Sequence, residues 1–454
     1  MTQTILFQNA RLFDGLADQP RTHVSIVVSG DRFSTVEHGP VPPPAGAQVI
    51  DLQGKTVVPG LIDTHVHSTF VGTPSLPLFL AAGVTSARDV GGNLEKVKGL
   101  KADLNSGKKL GPRLFICGPL LDGSAKSFEY PSFAEMLDNI PSPEVVPQKI
   151  GALLNAGVNA VKLYFTLMPD TATAIIKFVD NRVPVTGHLG YMQSLDAIKA
   201  GINGLEHVWI SPYNEFCALD MQFGVGASMM SSKFWNQTLK GWEEADLQNP
   251  RAREWFDAMV KQQVNMGTTL DLLWIARCGE EGVKRDHDRC YIPPYALARQ
   301  RAMGSRLGER ADWDIHPGFF DPYQGTKALE KHQQVTRMLH EAGGLVVGGT
   351  DCGALAYPPP GFALLREIEL LADAIGTTAA LKAVTSVAAR YLQQQDNIGS
   401  IAPGRYADFL VIDGDPLHDV RELRKLTAVY RGGVAHDPQA ILANVPKSDF
   451  VPLS

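Results

Sequence analysis

The sequence predicts an α/β protein: a TIM-like (β/α)8 barrel carrying a small composite β-sandwich domain built from both chain ends. Two observations predict it. Residues 1–57 and 397–454 are short alternating β-like pieces broken by turns, whereas residues 58–396 alternate apolar strands with helical stretches, the pattern of βα units around a parallel sheet. Neither end is long enough to bury a core of its own, so the two are expected to pair with each other.

The N-terminal pieces are Thr4–Leu12, His23–Ser29 and Gln48–Leu52, with the Pro-rich loop Pro40–Pro44 between them. The C-terminal pieces are Ala407–Ile412 and Leu426–Tyr430, entered through the turn Gly399–Gly404. Eight apolar runs supply the barrel: Val58–His67, Val84–Val90, Pro112–Cys117, Ala160–Tyr164, Val183–His188, Gly204–His207, Val264–Leu270 and Leu345–Asp351. Helices are expected over Pro147–Ala156, Ser194–Ala200, Thr326–Ala342 and Pro360–Ala374. A chain of 454 residues accommodates one such barrel and a small second domain.

Composition narrows the function classes. With 44% hydrophobic and 20% charged residues the chain reads as an ordinary globular protein. A net charge of −6 without a Lys/Arg cluster gives no footprint for nucleic acid. No window has the length and apolarity of a membrane span, the first residues lack the pattern of a signal peptide, and the five scattered cysteines form no Cys-x-x-Cys pair. A cytoplasmic, disulfide-free protein acting on a small molecule, as a homo-oligomer and without nucleic-acid or membrane partners, is the expectation.

Functional residues of a (β/α)8 barrel cluster at the C-terminal ends of its strands. Residues 59–67 read Pro-Gly-Leu-Ile-Asp-Thr-His65-Val-His67, and an i, i+2 spacing in a strand points both imidazoles to one side. Lys162 lies in the fourth strand, His188 ends the fifth, His207 ends the sixth and Asp351 ends the eighth. Each has an ordinary structural role available to it, as a core histidine, a snorkelling lysine or a helix cap. Six such residues converging on one rim point instead to a metal site.

These residues carry a resemblance. The chain resembles the metal-dependent amidohydrolase superfamily, in particular the branch of imidazolonepropionase-like proteins and Xaa-Pro dipeptidases, through Val58-Pro-Gly-Leu-Ile-Asp-Thr-His-Val-His67, Glu206-His207, Gly349-Thr350-Asp351 and Ile398-Gly-Ser-Ile-Ala-Pro-Gly-Arg-Tyr-Ala-Asp408. The resemblance implies two divalent metal ions, the more buried on His65, His67 and Asp351 and the more exposed on His188 and His207. Lys162, carboxylated by CO2 to a carbamate, would bridge them. Zn2+ suits the imidazole-rich set, and Co2+, Mn2+ or Fe2+ would accept similar ligands. Hydroxide activated between the ions would attack an acyl carbon, with Asp351 moving the proton to the leaving group.

The expected reaction is cleavage of a C–N acyl bond. Tyr164, two residues beyond Lys162, and Trp209, two beyond His207, are the candidate substrate-binding residues. Both are larger than the residues at these places in peptide-cleaving relatives. An amide, urea or carbamate of a compact aromatic substrate is therefore expected, with an Xaa-Pro dipeptide or N-acyl amino acid as the alternative and a non-catalytic scaffold on the same fold as the second. The stretch Ser211–Gly325 is expected to be loop-rich and to be the specificity region; its aromatics Phe216, Phe234, Trp235, Trp242, Trp255, Phe256, Trp274, Tyr291 and Trp313 suggest a pocket for a flat or apolar substrate, although such clusters are more often plain core.

Overall fold

The computed structural model describes residues 3–123, 135–217, 232–296, 298, 321–354 and 357–446. Trp313 and the side chains of Phe234 and Trp235 lie outside the described residues. The strands in chain order are β1 (Thr4–Leu12), β2 (Arg21–Ser29), β3 (Arg32–His38), β4 (Gln48–Asp51), β5 (Thr56–Pro59), β6 (Leu61–Val66), β7 (Val84–Asp89), β8 (Arg113–Ile116), β9 (Leu120–Asp122), β10 (Leu137–Asn139), β11 (Val161–Leu163), β12 (Val185–Gly187), β13 (Gly204–Glu206), β14 (Asn265–Gly267), β15 (Leu345–Val347), β16 (Phe409–Ile412), β17 (Leu426–Arg431) and β18 (Val434–His436).

Strands from the two terminal regions build one mixed sheet, in the order β18-β17-β16-β5-β1-β2-β3, with β4 also on β1. The joint is antiparallel pairing of β16 with β5, Phe409 opposite Pro59 and Ile412 opposite Thr56. Its face is sealed by aromatic rings: Phe409 and Tyr430 stack 4.4 Å apart, and Phe7 meets both edge-on at 5.2 and 5.1 Å. Offset and edge-on contacts of this kind add to plain area burial.

The central region forms two all-parallel sheets, β6-β7-β8 and β10-β9-β11-β12-β13-β14-β15, consistent with the expected barrel. Backbone bonds lace their edges together. Thr64 N donates to Gly348 O and His67 N to Cys352 O, tying β6 to the segment after β15, while Asn159 N donates to Ile116 O. Helices alternate with the strands, among them Leu94–Asn105, Val146–Asn155, Pro169–Val179, Ser194–Ala200, Pro322–Glu341 and Phe362–Ile375. Among the described residues no helix is long and apolar enough to cross a membrane.

Two expectations are corrected. The run Val58–His67 is not one strand: Pro59 ends β5 in the mixed sheet and Leu61 begins β6 in the parallel one. The break falls at Gly60, where a Cβ would stand 2.1 Å from Thr85 Oγ1, so only glycine lets the chain pass from one sheet into the other here. Nor is Ser211–Gly325 loop-rich where it is described, since it contains helices Ser232–Glu243, Pro250–Gln262 and Leu270–Lys284. Its aromatics serve packing. Phe216, Trp242, Trp255 and Phe256 form one buried cluster with ring separations of 5.2 to 5.6 Å.

The close approach at Gly60 gives a stability prediction. Gly60→Ala is expected to lower the urea unfolding free energy by roughly 1–3 kcal/mol, the usual cost of overpacking. Thr85→Ala in the same chain, which removes the nearest contact, is expected to recover a good part of that loss. Equal stability of Gly60→Ala and wild type would contradict the packing described.

Candidate metal centre

β6 delivers His65 to the interior, 1% exposed, and His67 follows just beyond the strand as the cap of the helix Ser68–Val71. His65 Nδ1 donates to Glu206 Oε2 at 2.8 Å and His67 Nδ1 to Gly91 O at 2.9 Å. These bonds fix the tautomers, leaving lone pairs on both Nε2 atoms. Each Nε2 lies 3.2 Å from the same oxygen, Asp351 Oδ1. Among the described residues that oxygen accepts no hydrogen bond of good geometry.

Three lone-pair donors facing one point repel unless positive charge sits among them. Protonation supplies it in part: burial opposes a charged His67, but the Asp351 carboxylate prevails and raises its pKa above the ordinary histidine value. A divalent cation supplies it more fully, and the ligand atoms of His65, His67 and Asp351 all lie within 4.8 Å of one another, as a metal triad requires.

Beside the triad stand His207 and His188. Their rings are 4.5 Å apart, and the His207 ring is 4.6 Å from that of His65. His207 Nδ1 pairs with Thr269 Oγ1 at 3.0 Å, whereas His188 Nε2 is buried with no hydrogen-bond partner among the described residues. Burial first, then the Lys162 charge, pushes His188 down to about 3, and burial with the neighbouring His188 and His65 holds His207 well below the ordinary value. Both rings are therefore neutral, the form in which imidazole ligates a metal. Lys162 lies in β11, 1% exposed, its Nζ without a hydrogen-bond partner among the described residues, and burial lowers its pKa to about 8. An unpaired buried ammonium costs several kcal/mol, so the amine is held in an environment that favours its neutral form.

Tyr164 and Trp209 also sit by these rings, Tyr164 at 5.2 Å from His188 and Trp209 at 5.9 Å from His207, both edge-on. Asp351 is not at the end of a strand, as the sequence suggested, but on the turn beyond β15. Gly349 permits that turn: a Cβ there would lie 2.7 Å from His65 Cβ. Asp351 and His207 both take left-handed backbone, φ 58° and 59°, which for non-glycine residues is costly and is kept only where surroundings enforce it.

The enforcing residues escaped the sequence reading. Asp63 accepts from Thr350 Oγ1 at 2.7 Å, from Thr350 N at 3.2 Å and from His65 N at 3.1 Å, pinning the Asp351 turn to β6. Asp89 accepts from Ser68 N and Oγ and from Gly91 N, shaping the loop whose carbonyl orients His67. Arg88 reaches Glu206 Oε1 at 2.5 Å and Thr64 O at 2.6 Å. The available signal was Arg88-Asp89 inside the apolar run Val84–Val90, since charge within a buried strand demands a partner.

The Arg88–Glu206 pair is fully buried on both sides. Arg88→Met is expected to cost about 3–5 kcal/mol in a denaturant melt, because the Glu206 carboxylate is left unpaired. Glu206→Gln, which weakens the hold on His65 Nδ1, is expected to reduce metal affinity roughly 10–100-fold in a chelator competition. Unchanged affinity would show that Glu206 does not orient His65.

The amidohydrolase family model matches residues 290–435. An uncharacterized protein of Mycobacterium tuberculosis (strain H37Rv) is 29% identical over 220 residues, 45% of this chain and 32% of that protein, so the chain spans about a third of that relative's length. A solved Xaa-Pro dipeptidase with bound methionine superposes with a TM-score of 0.65 at 20% identity, covering 96% of this chain and 100% of that one. A bottromycin amidohydrolase structure gives 0.70 at 19% identity, covering 97% and 88%. The chain thus shares its fold with these solved structures along nearly its whole length, matches the amidohydrolase family model over residues 290–435, and carries the His65/His67/Asp351 triad.

Proposed function

We propose that the protein is a metal-dependent hydrolase of C–N acyl bonds, acting on an amide, urea or carbamate of a compact aromatic substrate. The observation that carries this reading is the convergence of His65 Nε2, His67 Nε2 and Asp351 Oδ1 on one point. His65, His67 and Asp351 would hold one divalent ion and His188 with His207 a second, with Zn2+ the first choice. When bound, such ions supply Lewis acidity and lower the pKa of water to near neutrality.

The chain's own residues do the rest. The Lys162 amine, kept near pKa 8 by burial, is partly neutral at pH 7, and the neutral amine is the form that adds CO2. The ammonium first gives up one proton to become that amine, the amine nitrogen then bonds to the CO2 carbon as one C=O π bond opens to an anionic oxygen, and a second proton leaves the nitrogen, so that an anionic carbamate suited to hold cations replaces the cationic side chain. Asp351, ionised and partly exposed at the mouth of the triad, accepts a proton from the attacking water and returns it to the leaving nitrogen. Tyr164 and Trp209 flank His188 and His207 and would stack against an aromatic acyl or leaving group.

The test joins metal content to turnover. Metal-reconstituted protein with bicarbonate is expected to contain two transition-metal ions per chain and to hydrolyse an aryl amide, phenylurea or aryl carbamate in preference to an Xaa-Pro dipeptide. Chelation should abolish turnover. Asp351→Asn, with metal content measured on the same sample, should reduce turnover by several orders of magnitude. Tyr164→Ala and Trp209→Ala should each cost the aryl substrate roughly ten-fold, as expected for 1–3 kcal/mol of lost apolar contact. Preference for the dipeptide, with both alanine variants neutral on the aryl substrate, would replace this reading with a peptidase.

A further inference from the structure

One buried carboxylate on the rim is used by nothing described so far. Asp122 ends β9, the strand beside β11, and is 0% exposed. The register pairs Leu120 with Lys162, so Asp122, two residues on, shares a face with Lys162 and stands level with Tyr164, which is two residues beyond Lys162. The proximity is felt electrostatically, since the Asp122 and Asp351 charges both add to the burial that raises the Tyr164 phenol well above its ordinary value.

The carboxylate is fixed through one oxygen only. Asp122 Oδ1 accepts from Gly123 N at 2.9 Å, Thr166 N at 2.8 Å and Thr166 Oγ1 at 2.5 Å. Gly123 makes that clamp possible, because a Cβ there would fall 2.2 Å from Thr166 O. Oδ2 is equally buried and has no hydrogen-bond partner among the described residues. A buried anionic oxygen without a donor is costly to keep, and three donors on its twin hold it immobile. A structural aspartate closing the β9 loop needs only Oδ1. The second oxygen is supplied to something that arrives.

We propose that Asp122 is a substrate-anchoring residue, its Oδ2 receiving a protonated primary amine on the aromatic substrate beside Tyr164. The proposal rests on the hydrolase reading for the identity of the site, and adds that the substrate is a cationic, amino-bearing aryl compound. A charge-assisted bond to an ammonium is roughly twice as strong as one to a neutral N–H, which is why a cation is the fitting partner.

Binding and turnover test it separately. The binding probe is 2-phenylethylamine, an aromatic ammonium with no scissile acyl bond, compared by calorimetry on metal-loaded protein with the neutral 2-phenylethanol. Wild type is expected to bind the amine at least ten-fold more tightly than the alcohol. Asp122→Asn retains a carbonyl Oδ1 for Gly123 and Thr166 but turns the free position into a donor, and it should erase the preference while leaving affinity for the alcohol unchanged. In turnover, wild type should favour phenylalanine anilide over 3-phenylpropionanilide by a similar factor, and Asp122→Asn should lose that factor alone. Equal binding of amine and alcohol by wild type, or no binding of either, overturns the proposal without recourse to any variant, as does a preference that survives in a folded Asp122→Asn. Selective amine binding together with no hydrolysis of any acyl substrate supports the anchor and counts against the hydrolase reading only.

Discussion

The contact on which the rest of the site depends is the buried pair between Arg88 and Glu206. With its attachments it spans three strands: Arg88 on β7 also holds the Thr64 carbonyl of β6, and Glu206 on β13 also holds the ring of His65 on β6. Thr186 of β12 and Tyr391 close the remaining valences of Glu206 at 2.5 and 3.1 Å, and the Tyr391 ring packs against the Arg88 guanidinium at 4.4 Å. An ion pair so deep contributes little net stability by itself, since desolvation offsets most of its attraction. Its value here is positional. Four strands are referred to one carboxylate, and that carboxylate decides which nitrogen of His65 carries a proton.

From that fixed point the charge pattern of the interior follows. Glu206 is kept ionised against its burial by Arg88, Lys162 and His65. His65 bridges this anion and the Asp351 carboxylate, the neutral His188 and His207 stand beside it, and Lys162 is coupled to both acids. With the Arg88 charge taken up by Glu206, the site joins ionised carboxylates to neutral imidazoles and the Lys162 amine. Such an arrangement suits cationic cargo and disfavours an anionic one.

Much of this was legible in the sequence, and the limits are physical. The structure brings the rings of His65, His67, His188 and His207 together and buries Lys162 in β11, as expected from the period of two in a strand and from a barrel presenting its strand ends to one rim, so chain order translates into position. Asp351 was found by type but misplaced in geometry, because the glycine pair before it folds a turn whose course depends on the His65 backbone across the gap. The second layer, Asp63, Asp89 and the task of Arg88, was hidden because its side-chain partners, Thr350 for Asp63, Ser68 for Asp89 and Glu206 for Arg88, are 287, 21 and 118 residues away in sequence. The helical character of the stretch after Ser211 was hidden for a different reason. Its aromatics left a pocket and plain core both open without fixing the elements that carry them, and among the described residues Phe216, Trp242, Trp255 and Phe256 take the core role, Trp255 and Phe256 on the buried face of the helix Pro250–Gln262.

The passage through Gly60 links two parts of the molecule that look separate. A single residue lies between β5, whose neighbours come from both terminal regions of the sequence, and β6, which carries His65. No slack exists there to absorb a shift, so the height of His65 in the interior is set by how well the mixed sheet is assembled. Free energy gained at the triad on loading a cation is then shared with strand pairing far from it, and the reverse holds with equal magnitude by linkage. The mixed sheet behaves as the tuning peg of the metal strand: it touches no ligand, yet its assembly sets the tension under which the ligands meet.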